Sequence, residues 1–270
     1  MPRIAGLARS TYFHHLSHPG HATRADPEPL VGEIRARTAN GCGHRQIRMR
    51  LVHEFGQKVS AKTVPRVMRR MGPKRPIRAA DPWRKYSSCR GGTGGKAPNP
   101  PKRDFEADGP FEKPGTDVTG FKVAGSKACL APVYDMAGKE TTAWDAGRHP
   151  DMNQQKRLPA MLGDRPPDGA NPILRSDMGW RYQHPWWRKE LERLNIRHSM
   201  SRKGDCLDDA ATEQVFGHLE DEFYRGREFD SYGRFKSELD AYIIHWNTKR
   251  RQIRLEGHTP EEYRSMSLAT

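Results

Sequence analysis

Residues 116–123 form the run Thr116-Asp117-Val118-Thr119-Gly120-Phe121-Lys122-Val123, which is rich in β-branched residues and alternates in polarity. This pattern predicts a β-strand from Asp117 to Val123 that carries an acid. A strand is a costly place for an unpaired carboxylate, because burial of a charge requires a compensating partner. The run therefore marks Asp117 as a candidate functional residue and predicts the first strand of an α/β sheet.

A second acid follows a short apolar run. Asp177 comes after Pro172-Ile173-Leu174 and before Met178-Gly179, so we expect it at the end of a short strand where the chain turns outward. Strand ends are where open α/β sheets place their chemistry. Asp177 is therefore a second candidate.

A third acid, Glu213, begins a helical stretch, and 35 residues separate it from Asp177. Three carboxylates on separate elements can bind divalent metal ions, because hard cations prefer oxygen ligands and two such ions stabilise phosphoryl transfer. The alternative is that these acids are helix caps and solvated surface groups, as most Asp and Glu residues are. Spacing alone leaves both interpretations open.

Five motifs follow one another in the order Thr116–Thr119, Ser176–His184, Ser199–Glu213, Tyr242–Asn247 and Leu255–Tyr263. Together they resemble the integrase-core, DDE-type transposases of bacterial insertion sequences, in particular the catalytic subunit encoded by the second reading frame (OrfB type). That group is also similar to retroviral integrases. The separation between Asp177 and Glu213 is typical of the family.

The resemblance implies a ribonuclease H-like α/β catalytic core in which Asp117, Asp177 and Glu213 are catalytic and bind two Mg²⁺ ions, with Mn²⁺ as a substitute. It implies DNA transposition, in which phosphodiesters at the terminal repeats are cleaved and joined to target DNA. The implied partners are DNA, an upstream-frame product with a helix-turn-helix and a leucine zipper, and further copies of the chain on DNA.

Several positions depart from the pattern that the resemblance implies, and three of them bear most directly on activity. Pro114 stands where the family usually has Trp, Asp209 where it usually has Asn, and Glu220 where it usually has Lys. Glu220 lies seven residues after Glu213, so an acid there would repel nearby phosphate. The departures leave open the alternative of a catalytically decayed copy that acts only as a DNA-binding protein or transposition inhibitor. An RNA-strand hydrolase on the same fold would explain neither the amino-terminal helices nor the tail.

The charge balance favours a polyanionic partner. The chain has 47 Lys and Arg against 33 Asp and Glu, a net charge of +14. Between Lys74 and Arg103, nine basic residues accompany one acid in a Gly/Pro-rich segment that cannot form a core. We therefore predict a helical module at 1–72, a basic linker at 73–104, and a catalytic core with a helical tail at 105–270.

The amino-terminal module has the pattern of a helix-turn-helix. Apolar residues recur at helical spacing on both sides of Gly56, and Ser60 is a candidate cap for a second, basic helix. Such a helix enters the major groove in many DNA-binding proteins. Generic helical packing without DNA contact is the alternative. Pro65 weakens the prediction if the helix begins at Ala61, because proline is tolerated only in the first turn. The candidate DNA contacts on this helix are Lys62, Arg66 and Arg69.

Further candidate DNA contacts are Arg202 and Lys203, in a basic turn before the Glu213 helix, and Lys249 and Arg250 after a later helix. The four cysteines form no Cys-x-x-Cys pair, which argues against a zinc finger or a disulfide framework. No signal peptide or apolar run of membrane-spanning length is present, so we expect a cytoplasmic protein. The resemblance implies a bacterial protein associated with the nucleoid.

The order of patterns after the linker is three strands, then alternating helices and strands, then a helical tail. In a ribonuclease H-like sheet the first strand is central, which would place Asp117 beside Asp177 with Glu213 on a nearby helix. The expected strands are 117–123, 128–134, 141–146 and 172–174, and the expected helices are 153–162, 185–194, 209–223 and 232–247.

Overall fold

The computed structural model describes residues 26–37, 43–72, 107–162, 166–167, 170–201 and 210–269, together with positions 10, 13 and 17. For residues 210–213 it describes the backbone alone. The chain divides into two compact units, Met1–Lys74 and Arg75–Thr270. The basic linker predicted at 73–104 lies outside the described residues.

The first unit contains helices α1 (Glu28–Ala36), α2 (His44–His53) and α3 (Thr63–Arg70). Its core consists of apolar side chains from all three helices, Val31, Ile34, Ile47, Leu51, Val64 and Val67. The predicted start of the third helix was wrong by two residues. Because α3 begins at Thr63, Pro65 lies in its first turn, where backbone amides have no intrahelical partner.

The predicted cap of α3 was also wrong. The N-cap residue is Lys62, which makes no side-chain capping bond. Ser60 instead accepts a hydrogen bond from the Thr63 amide through its carbonyl oxygen, at 3.1 Å. The chain thus enters α3 through a backbone turn.

The second unit is built on one six-stranded mixed sheet. Strand β3 pairs antiparallel with β4 and, along its other edge, with both β1 and β2. β1 pairs parallel with β5, and β5 pairs parallel with β6. This is the ribonuclease H-like arrangement that the sequence predicted. The strands are β1 (Pro114–Thr116), β2 (Thr119–Val123), β3 (Ser126–Asp135), β4 (Thr141–Gly147), β5 (Ile173–Ser176) and β6 (Arg197–Met200).

The first predicted strand needs a correction, because Asp117 lies between β1 and β2 rather than inside a strand. Strands β1 and β2 pair with β3 in the same continuous register, so Asp117, which lies between them, is opposite Pro132. The β2–β3 hairpin closes with a two-residue turn, so the residue pair next to the turn exchanges backbone hydrogen bonds and every second pair after it does the same. Asp117 and Pro132 occupy one of these hydrogen-bonding pair positions. Pro132 has no amide hydrogen to donate. The ladder is therefore interrupted at the acid.

Helices cover both faces of the sheet. One face packs against α4 (Met152–Leu162), α5 (Trp180–Gln183) and α6 (Pro185–Arg193), around the buried Trp187. The other packs against α7 (Ala210–Leu219) and α8 (Tyr232–Thr248), around Phe223 and Phe235. The sheet is thus the middle of three layers.

The predicted helix 209–223 changes character at its end, because residues Glu220–Tyr224 form a π-helical turn. A tail of a 3₁₀ turn (Ile253–Leu255) and helix α9 (Pro260–Leu268) follows α8. Thr259 and Glu262 form a capping box at the start of α9. Among the described residues, no helix has the length and apolar character needed to cross a membrane.

Candidate active site

Two of the three candidate acids lie at the ends of neighbouring parallel strands. Thr116 of β1 is paired with Ser176 of β5, and each is the last residue of its strand. Asp117 and Asp177 are the next residues in the chain. The sheet therefore brings residues 117 and 177 next to one another at the carboxyl ends of these two strands.

The orientation of Asp117 follows from the alternation of side chains along the hairpin. Phe121 and Val123 pack in the cluster that includes α7 and α8 residues, whereas Val118 packs against the opposite cluster. Asp117 shares the parity of Phe121 and Val123, so its Cβ lies on the α7 side. Its half-buried carboxylate accepts a hydrogen bond from the Val118 amide through Oδ1, at 2.6 Å.

Asp177 leaves β5 in a tight turn. Its Oδ1 accepts a hydrogen bond from the Gly179 amide at 2.9 Å, and its backbone carbonyl accepts one from the Ser176 hydroxyl at 3.0 Å. Since Ser176 uses its hydrogen there, His198 Nε2 must donate to Ser176 Oγ, 2.9 Å away. The His198 imidazole therefore carries a proton on Nε2.

The surroundings keep the His198 ring neutral. Burial first, and the positive charge of Arg188 second, lower its pKa to about 4. Within the described residues, its Nδ1 has no hydrogen-bond partner, so a proton there would place an unpaired charge in the interior. His198 thus supports the backbone beside Asp177.

Tyr182 lies fully buried beneath the two acids. Thr116 Oγ1 donates to the Pro132 carbonyl at 2.8 Å, so the Tyr182 hydroxyl donates to Thr116 Oγ1, 3.3 Å away. Burial raises the pKa of Tyr182, and the negative charges of Asp117 and then Asp177 raise it further. Both carboxylates therefore act electrostatically on the same buried phenol.

Glu213 is the candidate for the third position. Helix α7 carries residue 213 and packs on the face of the sheet toward which Asp117 is directed. The Glu213 side chain lies outside the described residues. Among the described side chains, no three His, Cys, Asp or Glu residues form a metal-binding group. The two acids that are described offer carboxylate oxygens, the ligand type that a hard divalent cation prefers.

The candidate DNA contacts of the first unit share one surface. Lys62, Arg66 and Arg69 are all exposed, while Val64 and Val67 of α3 face the core. α3 therefore presents a basic face opposite its apolar face. Its last residue, Arg70, forms ion pairs with Asp26 and Glu28.

The remaining candidate contacts differ in their surroundings. Lys249 is exposed, whereas the Arg250 side chain is 11% exposed and forms two hydrogen bonds to Glu222, at 2.9 and 2.7 Å. Its guanidinium also lies over the Trp246 ring, 4.1 Å from the centroid. The geometry does not favour the predicted DNA contact of Arg250, because this cation is used inside the fold. Arg202 and Lys203 lie outside the described residues.

Two of the three departures fall on described positions. Pro114 opens β1 opposite Asp135, at the end of the strand away from Asp117. Glu220 is half-buried at the start of the π-helical turn. Since α7 is regular up to Leu219, position 220 shares the helix face of position 213, as the sequence predicted. Asp209 lies outside the described residues.

Tyr182 and His198 were not predicted as site residues. Tyr182 occurs within a recognised motif, but a tyrosine five residues after Asp177 carries no sign of contact with Thr116. The strand that carries His198 was missing from the expected elements. The sequence signal for this strand is that apolar Ile196 and Met200 flank three polar residues. A strand of four residues is too short for such a pattern to predict it well.

A mixed sheet with two acids at adjacent strand ends and a helix carrying a third acid defines an integrase-type catalytic core. Two models described as integrase core domain match residues 107–206 and 213–268. The chain is 34% identical over 98% of its length to transposase InsK of insertion sequence IS150 from Escherichia coli K12, covering 92% of that protein. It is 38% identical over 78% of its length to a transposase-like protein of Haemophilus influenzae Rd, covering 95% of it.

The chain therefore belongs to the insertion-sequence transposases that carry an integrase core domain, a family of DDE-type polynucleotidyl transferases. Members of this family act on DNA and use divalent metal ions. Among solved structures, the HTLV-2 integrase catalytic core in complex with magnesium aligns at 13% identity with a TM-score of 0.44. That alignment covers 59% of this chain and 99% of that one.

Proposed function

We propose that this chain cleaves phosphodiester bonds at the ends of a DNA element and joins them to target DNA, with Asp117, Asp177 and Glu213 as catalytic acids. The observation that carries the proposal is the pairing of Thr116 with Ser176 in parallel strands. It puts an acid directly after each of two adjacent strands, at the carboxyl ends where α/β sheets bind ligands. The position of Glu213 on α7 supports its assignment as the third acid.

The three acids would bind two Mg²⁺ ions, which Mn²⁺ can replace. When bound, such a pair supplies Lewis acidity at the attacking and leaving oxygens of an in-line displacement. The chain's own residues orient the acids. The amides of Val118 and Gly179 each fix one carboxylate oxygen. Tyr182 stays protonated because its pKa is raised, so it adds no negative charge beneath the site.

One site serves both chemical steps. Water attacks first and frees a 3′-hydroxyl, and that hydroxyl then attacks the target phosphodiester. Both reactions are phosphoryl transfers with an oxygen nucleophile, so the same carboxylates suffice and no covalent protein–DNA intermediate is required.

DNA contacts extend over both units in this proposal. The first unit is a helix-turn-helix-like module whose α3 binds DNA through Lys62, Arg66 and Arg69, supported by their shared exposed face. Arg202, Lys203 and Lys249 contact phosphates near the active site, and the segment 73–104 is a basic linker. The working complex contains several copies of the chain on bacterial chromosomal DNA, together with an upstream-frame helix-turn-helix partner.

The test is nicking of supercoiled plasmid in Mg²⁺ or Mn²⁺, with the upstream-frame product present. We expect Asp117→Asn, Asp177→Asn and Glu213→Gln each to lower the rate by about a thousandfold or more, because a metal site supplies several kcal/mol to the transition state. Glu256→Gln, at an exposed turn after the 3₁₀ segment, is the matched control and should keep the wild-type rate. Wild-type nicking by Asp177→Asn would overturn the assignment.

A further inference from the structure

Gly179 lies between β5 and α5, two residues after Asp177. Its backbone angles are φ −58° and ψ 143°, a region that every L-residue adopts. Conformational freedom is therefore not the reason for a glycine here. The reason must be the space around its Cα.

That space is occupied by the Asp177 carboxylate. A Cβ added to Gly179 would lie 2.8 Å from Asp177 Oδ1 and 3.5 Å from both Cγ and Oδ2. A separation of 2.8 Å is well inside the normal contact distance of carbon and oxygen. The three nearest atoms all belong to Asp177, so a side chain at position 179 would meet this carboxylate first.

The close approach and the hydrogen bond are parts of one arrangement. The Gly179 amide donates to Oδ1 at 2.9 Å, which requires the carboxylate to fold back over the turn where a Cβ would stand. We infer that Gly179 is a positioning residue for Asp177: its missing side chain lets the amide fix Oδ1 and so sets the direction of the whole carboxylate. This inference rests on the proposed role of Asp177 as a metal ligand.

The chain contains a matched arrangement in the turn between β3 and β4. A Cβ on Gly138 would lie 2.7 Å from Asp135 Oδ2, and the Gly138 amide donates to that oxygen at 2.7 Å. Asp135, however, is 2% exposed and also accepts a hydrogen bond from the Phe111 amide at 3.1 Å. An alanine at position 138 would therefore displace a buried carboxylate whose hydrogen bonds stabilise the fold.

The experiment compares the full-length wild type with Gly179→Ala, Gly138→Ala and Asp177→Asn. Mn²⁺ affinity is measured by electron paramagnetic resonance, and thermal stability by the unfolding midpoint. Gly179→Ala should weaken Mn²⁺ binding by about 10- to 100-fold, the range for loss of a group that orients a metal ligand, with a midpoint within about 2 °C of wild type. Gly138→Ala should lower the midpoint by roughly 5 °C or more and leave Mn²⁺ affinity unchanged.

The outcomes distinguish a failure of the positioning role of Gly179 from a failure of the proposed metal site at Asp177. Wild-type Mn²⁺ affinity in Gly179→Ala, with affinity lost in Asp177→Asn, would overturn the positioning role and leave the proposed function intact. Undiminished affinity in Asp177→Asn would overturn the proposed metal site and the positioning role with it. A fall in the midpoint of Gly179→Ala equal to that of Gly138→Ala would show that Gly179 serves the fold instead.

Discussion

Two aspartate turns of the catalytic unit have the same local chemistry and different surroundings. Asp135 is buried and accepts amide hydrogen bonds on both oxygens, from Phe111 and Gly138. Burial raises its pKa, and these amides only partly offset that rise. Asp177 is half-buried, has an amide on Oδ1, and lies beside Asp117. A carboxylate saturated by backbone donors stabilises a fold, whereas one next to a second acid is suited to a cation.

Two neighbouring cations repeat this contrast. Arg250 is buried against Glu222 and Trp246, while Lys249 is exposed. Burial alone would raise the pKa of Glu222, but hydrogen bonds and charge from His218 and Arg250 outweigh it and lower the pKa to about 2. One basic residue therefore serves the fold, and its neighbour is exposed to solvent.

The largest effect on stability is expected from Arg250→Ala. Removal of Arg250 takes two hydrogen bonds and a positive charge from Glu222, which keeps the His218 ring and the Tyr242 hydroxyl as partners, so the free energy of unfolding should fall by about 3 kcal/mol, the lower end for breaking a buried pair. Lys249→Ala should change it by no more than about 0.5 kcal/mol. Urea unfolding of both variants measures the difference, and equal losses would break the contrast between the two cations.

Asp135→Asn should lower the free energy of unfolding by about 1 to 3 kcal/mol, because one acceptor oxygen becomes a donor that faces a backbone amide. Plasmid nicking per folded molecule should stay unchanged. Asp177→Asn should do the reverse, with nicking lost and stability kept. The contrast fails if both variants change the same property.

His198 provides a test by pH. Its folded pKa of about 4 is below the ordinary 6.5, so the folded state favours the neutral ring. The stabilising contribution is therefore complete above pH 6.5 and is lost as pH falls from 6.5 towards 4. Between pH 6.5 and 5 the loss should be about 1 to 2 kcal/mol.

The matched variant is His198→Gln, whose amide can still donate to Ser176 but cannot titrate. Its free energy of unfolding should fall less steeply with pH over that window. Parallel pH profiles for wild type and variant would contradict the buried, neutral state of this ring.

The smallest effects concern the first unit. Arg66→Ala and Arg69→Ala should each weaken binding to any DNA sequence and reduce the slope of log affinity against log salt by about 1. Arg70→Ala is the control, since Arg70 pairs with Asp26 and Glu28. Fluorescence anisotropy at several salt concentrations gives the slopes, and an unchanged slope for Arg66→Ala would remove that residue from the proposed surface.

Much of this architecture could be predicted from sequence. The expected strands and helices of the second unit agree with the structure to within a few residues, because apolar periodicity decides long elements. The break at Asp117 escaped prediction, since it depends on which residue lies across the sheet, and Pro132 is 15 positions away in the chain. Strand β6 and helix α5 were also missed, and helix α9 lies in the predicted helical tail but had no predicted bounds, because short or polar elements carry little periodicity.

The site could be predicted only in part for the same reason. Recognised motifs led to the three candidate acids, but the prediction that Arg250 contacts DNA relied on charge alone. Its pairing with Glu222 across 28 positions is a tertiary contact that charge does not indicate. Gly179 was visible within a motif, yet its significance lies in one distance to Asp177.

The central claim is that Asp117, Asp177 and Glu213 bind metal together, and iron-directed cleavage tests it most directly. Fe²⁺ with ascorbate and peroxide generates hydroxyl radicals at a divalent-metal site, which cut the nearby backbone. We predict cuts close to residues 117, 177 and 213, all three suppressed by excess Mg²⁺ and lost in Asp177→Asn. Cuts at 117 and 177 without one near 213, or cuts that Mg²⁺ does not suppress, would contradict the account.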